Sequence, residues 1–179
     1  MDAGDVEAIA HADVQNCYQC GKCSAGCPMA QHMDLLPNRV IRLVQMGQVD
    51  KAMRSTAIWQ CVSCMTCSTR CPKSVDCAGV MDALRQLSFT HDTVADSQRR
   101  TVIFQQAFLD NIRRNGRLRE LELVGMFKTK AFLHDHSISL LWKDALLAPQ
   151  LMARSKLHLR GQRVEDRGIV QRIFQRCTG

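Results

Sequence analysis

The sequence predicts an all-α protein. Apolar residues recur every three or four positions through much of the chain, and no segment shows the strict alternation of a half-buried strand. Proline and glycine stand where helices begin and end: Pro37 suits the first turn of one predicted helix and Gly47 its C-terminal stop. The apolar stripe of that helix is Leu36, Val40, Leu43 and Val44.

The predicted elements fall into three regions. Residues 1–16 form a polar arm with little structure, and residues 17–91 form the domain that holds the cysteine runs. Within this domain a short helix is expected over residues 49–56, after the helix that follows Pro37. Another begins behind the second cysteine run, with Val80, Leu84 and Leu87 on one face.

Residues 92–179 are expected to form a basic helical extension that docks on a larger partner protein. The first stripe (Phe104, Ala107, Phe108 and Ile112) ends at Gly116. A second amphipathic segment covers residues 138–152. A third carries Val170, Ile173, Phe174 and Cys177 at helical spacing.

The composition and the distribution of cysteines indicate the cellular compartment and the kind of site to expect. Nine of the ten cysteines lie between Cys17 and Cys77, and the N-terminal residues do not resemble a signal peptide. Clustered cysteines in such a chain favour a cytoplasmic, metal-binding protein over a disulfide framework. No run of 18 apolar residues is present, so no membrane span is expected.

The two cysteine runs share one spacing. Cys17, Cys20, Cys23 and Cys27 precede Pro28, and Cys61, Cys64, Cys67 and Cys71 precede Pro72, so both runs read C-x2-C-x2-C-x3-C-P. This is the spacing of ferredoxins that bind two [4Fe–4S] clusters, in which the fourth cysteine of each run binds the other cluster.

This pattern predicts eight iron ligands in two crossed sets. The first cluster takes Cys17, Cys20, Cys23 and Cys71, and the second takes Cys61, Cys64, Cys67 and Cys27. No catalytic residues are predicted, because no motif for the transformation of an organic substrate is found. A zinc site is the alternative, but zinc ribbons use pairs of C-x2-C and do not require a fourth cysteine followed by proline.

Two cysteines lie outside the predicted ligand sets. Cys77 is expected to pack as a small apolar residue near the second cluster. Cys177, on the apolar stripe of the last helix, is expected in a core or an interface.

The segments CYQCGKCSAGCP, PNRVIRLVQMG and CVSCMTCSTRCP, followed by VMDALRQLS, resemble HdrC, the iron–sulfur C subunit of heterodisulfide reductase, in order and spacing. The resemblance is close over about residues 14–130 and looser beyond. It implies an α-helical ferredoxin fold. It also implies a role in passing electrons from a flavin-containing HdrA-like protein to an HdrB-like protein that cleaves a disulfide.

The leading hypothesis is therefore an electron-transfer subunit of a heterodisulfide reductase-like oxidoreductase, with no substrate site of its own. The parent complex's substrate and the direction of electron flow stay open.

The alternative is the iron–sulfur subunit of a quinone-linked dehydrogenase for glycerol 3-phosphate, lactate or succinate. A net charge of +7 admits a cluster-bearing nucleic-acid regulator as a distant alternative, but no DNA-binding motif supports it. We expect no nucleic-acid partner, and the basic charge leaves peripheral membrane association open.

Overall fold

The computed structural model describes residues 2–135, 164 and 167–178, and this part of the chain contains helices and no β-strand. The all-α prediction is confirmed. The helices are α1 (Ala3–Ala10), α2 (Lys22–Ala25), α3 (Pro37–Gln45), α4 (Val49–Met53), α5 (Ala57–Gln60), α6 (Thr66–Thr69), α7 (Cys77–Thr90), α8 (Asp96–Asn115), α9 (Glu120–Asp135) and α10 (Arg167–Thr178). Short 3-10 turns cover Val14–Asn16 and Ala30–His32.

The chain divides into two compact units, Met1–Arg99 and Arg100–Gly179, and both cysteine runs lie in the first. None of the helices in the described ranges is long and apolar enough to cross a membrane. The helix predicted over residues 138–152 lies outside the described residues.

Helix α7 is the centre of the first unit. Helices α1, α3, α4 and α5 all pack against it. Val80 and Leu84 are completely buried and Leu87 is nearly so, which confirms the stripe predicted for this helix. The core thus lies directly behind the second cysteine run, whose last cysteine is followed within a few residues by the start of α7.

Helix α3 begins at Pro37, as predicted, and its chain turns away at Gly47, which has a φ of 69°. Val40 and Val44 are fully buried, but Ile41 completes the buried face instead of the predicted Leu43. Leu36 precedes the first helical turn and therefore stays 37% exposed. The following helix begins at Val49 as expected and ends earlier, at Met53.

The expectation of little structure in residues 1–16 is wrong. Asp2 and Asp5 exchange backbone-to-carboxylate hydrogen bonds of 3.1 and 2.9 Å, forming a capping box that begins α1. Val6 and Val14 are completely buried, and α1 packs along α7. A few apolar residues on one face are enough here because the long helix α7 offers an apolar partner.

The second unit contains most of α8 together with α9 and α10. The stripe predicted on α8 is right for Ala107, which is fully buried, but Phe104 is 43% exposed and packs edge-on against Phe127 at 5.6 Å. The turn between α8 and α9 is held by buried amides. Asn111 accepts the backbone N–H of Arg119 at 2.8 Å, and Asn115 donates to Glu122 at 2.7 Å.

Candidate metal centres

The two cysteine runs follow the same backbone path. Gln19 and Ser63, 44 residues apart, both have left-handed φ angles, of 62° and 50°. Gly21 and Met65, again 44 residues apart, have φ angles of 76° and 61°. Each run then forms one short helix, α2 or α6, that carries its third cysteine. The repeat seen in the sequence is therefore a repeat of structure.

One set of four cysteines surrounds a single cavity. Cys61, Cys64 and Cys67 line it together with Cys27 from the other run, and the space measures about 370 Å³ including its mouth. Its other walls are largely apolar, from Pro28, Met29, Met33, Pro37, Val62, Met65, Ala78 and Met81. We call this set of four cysteines site two. It contains the same residues as the second predicted ligand set.

The remaining set lies around Cys17. Burial raises the pKa of the Cys17 thiol, and the nearby thiols of Cys23, Cys71 and Cys20 raise it further. We call these four cysteines site one. The pKa of Cys27 is raised in the same manner, first by burial and then by Cys61, Cys67 and Cys64. Each run's fourth cysteine therefore lies among the first three of the other run.

The sites have an outer and an inner side. Cys20 in site one and Cys64 in site two, which are equivalent in the repeat, are exposed to solvent. Exposed apolar side chains lie beside them in sequence: Tyr18 is 57% exposed, and Val62 is 59% exposed. In contrast, Cys23 of site one is only 7% exposed.

Cys77, the first residue of α7, joins the inner sides of the two sites. It is 2% exposed, and its thiol lies close enough to those of Cys23 of site one and Cys67 of site two to shift their pKa values. These contacts lower the pKa of Cys23 to about 6 and of Cys67 to about 7, and they raise that of Cys77. The thiol is therefore buried as expected, but it lies between both sites rather than beside the second alone.

Two equivalent serines attach the runs to the helices behind them. Ser24 donates to the side chain of Asn38 at 2.6 Å and accepts the Asn38 backbone N–H at 3.0 Å, at the start of α3. Ser68 does the same at the start of α7, donating to Asp76 at 2.5 Å and accepting the N–H of Ala78 at 3.0 Å.

A second pair of side chains holds the first cysteine of each run. Gln45, on α3, donates to the carbonyl oxygens of Val14 and Cys17, both at 2.8 Å. Arg85, on α7, donates to the carbonyl oxygen of Cys61 at 3.2 Å and to the hydroxyl of Ser63 at 2.7 Å. Each half of the repeat therefore consists of one run and one helix that anchors it, with a neutral anchor in the first half and a cationic one in the second.

Asp34 connects the segment before α3 to the segment that leads into the second run. Its carboxylate accepts the N–H groups of Thr56 and Ala57, at 3.0 and 2.8 Å, at the start of α5. Burial raises the pKa of Asp34, but these hydrogen bonds outweigh it and hold the pKa below its usual value. Helix α5 ends at Gln60, so Asp34 helps to set where Cys61 lies.

The residues present fit iron–sulfur clusters. Every donor of both sites is a cysteine sulfur, and Cys23 and Cys67 have the lowered pKa that favours the metal-binding thiolate. Amide and backbone donors also reach the sulfurs: Gln19 and Val75 donate to Cys17 and Cys71 at 3.4 and 3.3 Å. Such hydrogen bonds favour a reduced, more negative cluster.

Eight cysteine sulfurs in two crossed sets, held by helices, define the class: a helical iron–sulfur protein with two clusters. Residues 13–75 match the family described as 4Fe-4S dicluster domain. The chain thus carries such a domain, with two [4Fe–4S] clusters as its cofactors.

The relatives of the chain carry more specific descriptions than the domain family does. The chain is 34% identical over 91 residues to the iron-sulfur C subunit of the CoB–CoM heterodisulfide reductase of Methanopyrus kandleri, covering 51% of this chain and 47% of that protein. It is 31% identical over 93 residues to the C2 subunit of the H(2)/formate:CoB-CoM heterodisulfide,ferredoxin reductase of Methanococcus maripaludis, covering 52% of this chain and 50% of that one. The resemblance to HdrC is confirmed over this part, and the chain spans about half the length of the curated relatives it matches.

Several residues of the sites are not recognisable from the cysteine spacing. The anchors Gln45 and Arg85, like Asn38 and Ala78, are separated by 40 residues rather than 44, so a search at the cysteine period misses them. A search for a second period, between the helices that follow the two runs, could have found them. No sequence signal places Cys77 between the two sites, because that depends on how α7 packs.

Proposed function

We propose that this chain is the electron-transfer subunit of a heterodisulfide reductase-like complex. In this proposal it relays single electrons between an HdrA-like flavoprotein and an HdrB-like catalytic partner that processes a disulfide or thiol. Both curated relatives described above carry the names of C subunits of heterodisulfide reductases, which supports this assignment.

The proposal assigns the ligands by site. Cys17, Cys20, Cys23 and Cys71 hold one [4Fe–4S] cluster, and Cys61, Cys64, Cys67 and Cys27 hold the other. When bound, each cluster supplies one-electron redox chemistry at a potential that its protein surroundings set. The cavity bounded by the four sulfurs of site two supports the assignment there.

The observation that carries the relay is the matched exposure of the two sites. Each site has one cysteine at the surface, Cys20 or Cys64, and an inner cysteine in contact with the buried thiol of Cys77. A chain with this arrangement can exchange electrons with one protein near Cys20 and with another near Cys64. The path between the two sites then runs past the buried Cys77. No moving part is needed.

The flanks of the exposed cysteines suit protein docking. Tyr18 and Val62 are large, exposed and apolar, and Met65 beside Cys64 is 47% exposed. Aromatic residues and methionine are enriched at protein interfaces. We also propose that residues 92–179 form the docking extension and that the complex lies in the cytoplasm; the lack of a membrane-crossing helix in the described residues is compatible with this.

The test is to isolate the native complex anaerobically through an affinity tag on this chain and to identify its other components. We expect a flavoprotein and a protein with disulfide-reducing activity. Recovery with a quinone-linked dehydrogenase flavoprotein instead would overturn the proposal in favour of the alternative named above.

Rapid-mixing experiments on the reconstituted complex then test the two ends separately. Tyr18→Asp and Val62→Asp should each slow a different half-reaction, one with the flavoprotein and one with the catalytic partner. Phe89→Asp is the matched control, because Phe89 is exposed to a similar extent (50%) but lies at the far end of α7. If both variants slow the same half-reaction, the two-ended relay is wrong.

A further inference from the structure

The two halves of the repeat differ in the charge of the side chain that anchors each run. Gln45 binds the loop at Cys17 through a neutral amide, whereas Arg85 binds the equivalent loop at Cys61 through a guanidinium. The Arg85 side chain is only 16% exposed. A cation with little access to water acts on its surroundings more strongly than one at the surface.

We propose that Arg85 sets the reduction potential of site two: it fixes the loop from Cys61 to Ser63, and its charge favours the reduced, more negative state of that site alone. The proposal rests on the proposed function, since it concerns how an electron distributes between the two sites. When one electron passes between the sites, one is oxidised and the other is reduced, with no bond made or broken and no proton required.

Dipolar donors do not distinguish the sites. In site one, Gln19 and Val75 donate to cysteine sulfurs. In site two, the hydroxyl of Thr66 lies 3.3 Å from the Cys64 sulfur, and the backbone of Met29 donates to Cys27. Further donors occur at both sites: the Tyr18 side chain hydrogen-bonds Cys20, and the equivalent residues Ser24 and Ser68 hydrogen-bond Cys23 and Cys67. Hydroxyl and amide donors therefore reach the sulfurs of both sites, whereas the little-exposed cationic anchor Arg85 lies at site two.

The other cations near the runs do not single out one site. Lys22 adjoins Cys23 and Lys73 is two residues from Cys71, both cysteines of site one, and Arg42 donates to Gln45 at 3.2 Å. Arg70 precedes Cys71 of site one and lies against Gly26, which precedes Cys27 of site two. All four side chains are exposed, so water screens their charges more than that of Arg85.

Two carboxylates near site two carry a charge opposite to that of Arg85. The electrostatic effect of each carboxylate on site two is reduced by its surroundings. Asp82 pairs with Arg85 at 3.3 Å, but its side chain is 57% exposed. Asp76, bound to Ser68, caps the N-terminus of α7, where the positive end of the helix dipole offsets its charge. The positive charge of Arg85 is therefore compensated only in part, by the exposed Asp82.

The experiment measures both midpoint potentials of the reconstituted full chain by redox titration followed by electron paramagnetic resonance. Signals are assigned with Cys20→Ser for site one and Cys64→Ser for site two. Arg85→Gln, which installs the residue type of the other half, should lower the equilibrium constant for reduction of site two about tenfold, or about 59 mV. Site one should not shift.

Three further variants separate charge from structure. Arg85→Lys keeps the cation and should keep most of the potential, whereas a purely structural role would make Lys and Gln equally harmful. Asp82→Asn removes the counter-charge and should raise the site-two potential, which keeps the proposal testable if Arg85→Gln fails to assemble its clusters. Arg54→Gln, at an exposed residue that ends α4, controls for net charge and should shift neither site.

The proposal is overturned if Arg85→Gln leaves site two unchanged, shifts both sites equally, or has the same effect as Arg85→Lys. An Asp82→Asn variant with a lowered or unaltered site-two potential would also overturn it. Because the potentials are measured on this chain alone, they do not depend on which proteins the native complex contains.

Discussion

The side chain of Arg70 lies on the backbone of Gly26, the residue at the same place in the other cysteine run. A β-carbon at residue 26 would stand 2.8 Å from Cδ and 3.1 Å from Cζ of Arg70 and would overlap the guanidinium. Each of these residues directly precedes the fourth cysteine of its run. The contact therefore joins the two runs where each crosses to the other's site.

This contact predicts that Gly26→Ala loosens both sites. The φ of Gly26 is −98°, which alanine accepts, so the cost comes from displacing the exposed, flexible Arg70 side chain and should be about 1 kcal/mol or less. The measurement is the rate at which an iron chelator bleaches the visible absorption of the clusters. Arg70→Ala should relieve much of the effect in the double variant. Gly125→Ala, where a β-carbon meets nothing, is the control and should not speed bleaching.

The crossed ligand sets predict that Cys20→Ser affects more than one site. The variant should lose or convert the cluster of site one and, because Cys71 and Cys27 connect the sites, release iron from site two faster as well. Iron and sulfide analysis, with electron paramagnetic resonance after reduction, gives the result. Cys177→Ser, at an exposed cysteine of α10, should retain both clusters. Full cluster content and an unaltered release rate in Cys20→Ser would contradict the ligand assignment.

Cys77→Ala should retain both clusters, because the eight proposed ligands remain. It removes the thiol that contacts Cys23 and Cys67, so both midpoint potentials should fall together, in contrast to Arg85→Gln. Cys77→Ser can still donate a hydrogen bond and should lie between Cys77→Ala and the unaltered protein. Loss of one cluster in Cys77→Ala would show that Cys77 is itself a ligand.

Asp34→Ala should speed cluster release, because it leaves two N–H groups at the start of α5 without an acceptor. Loss of a capping side chain costs about 0.5–2 kcal/mol. The chelator-bleaching rate measures the effect. Asp34→Asn keeps an acceptor and should be milder.

The pH dependence of the Asp34 effect follows from the lowered pKa. A carboxylate whose folded-state pKa is depressed stabilises the fold fully above its ordinary pKa of about 3.9, and this is lost as the pH falls through the folded value. The difference between Asp34→Ala and the unaltered protein should thus be constant from about pH 6 to 8. A difference that changed markedly across that range would show that another group is responsible.

Much of the helical framework could be predicted because local rules determine it. Pro37, Gly47 and the stripe of Val80, Leu84 and Leu87 are confirmed, since caps and apolar spacing act over a few residues. The prediction for the N-terminal residues is wrong, because α1 owes its stability to the face of α7 that it meets. That face is distant in sequence.

The sequence by itself determined the cofactor and the two runs, because the spacing of cysteines along a tight loop controls which thiols can share a cluster. Only the tertiary structure decided what surrounds them: the buried Cys77 thiol between the sites, Arg70 on Gly26, and a neutral or cationic anchor behind each run. These contacts arise where helices pack side by side. Packing brings together residues that no local spacing relates, and it is there that the two halves of a repeated motif become different.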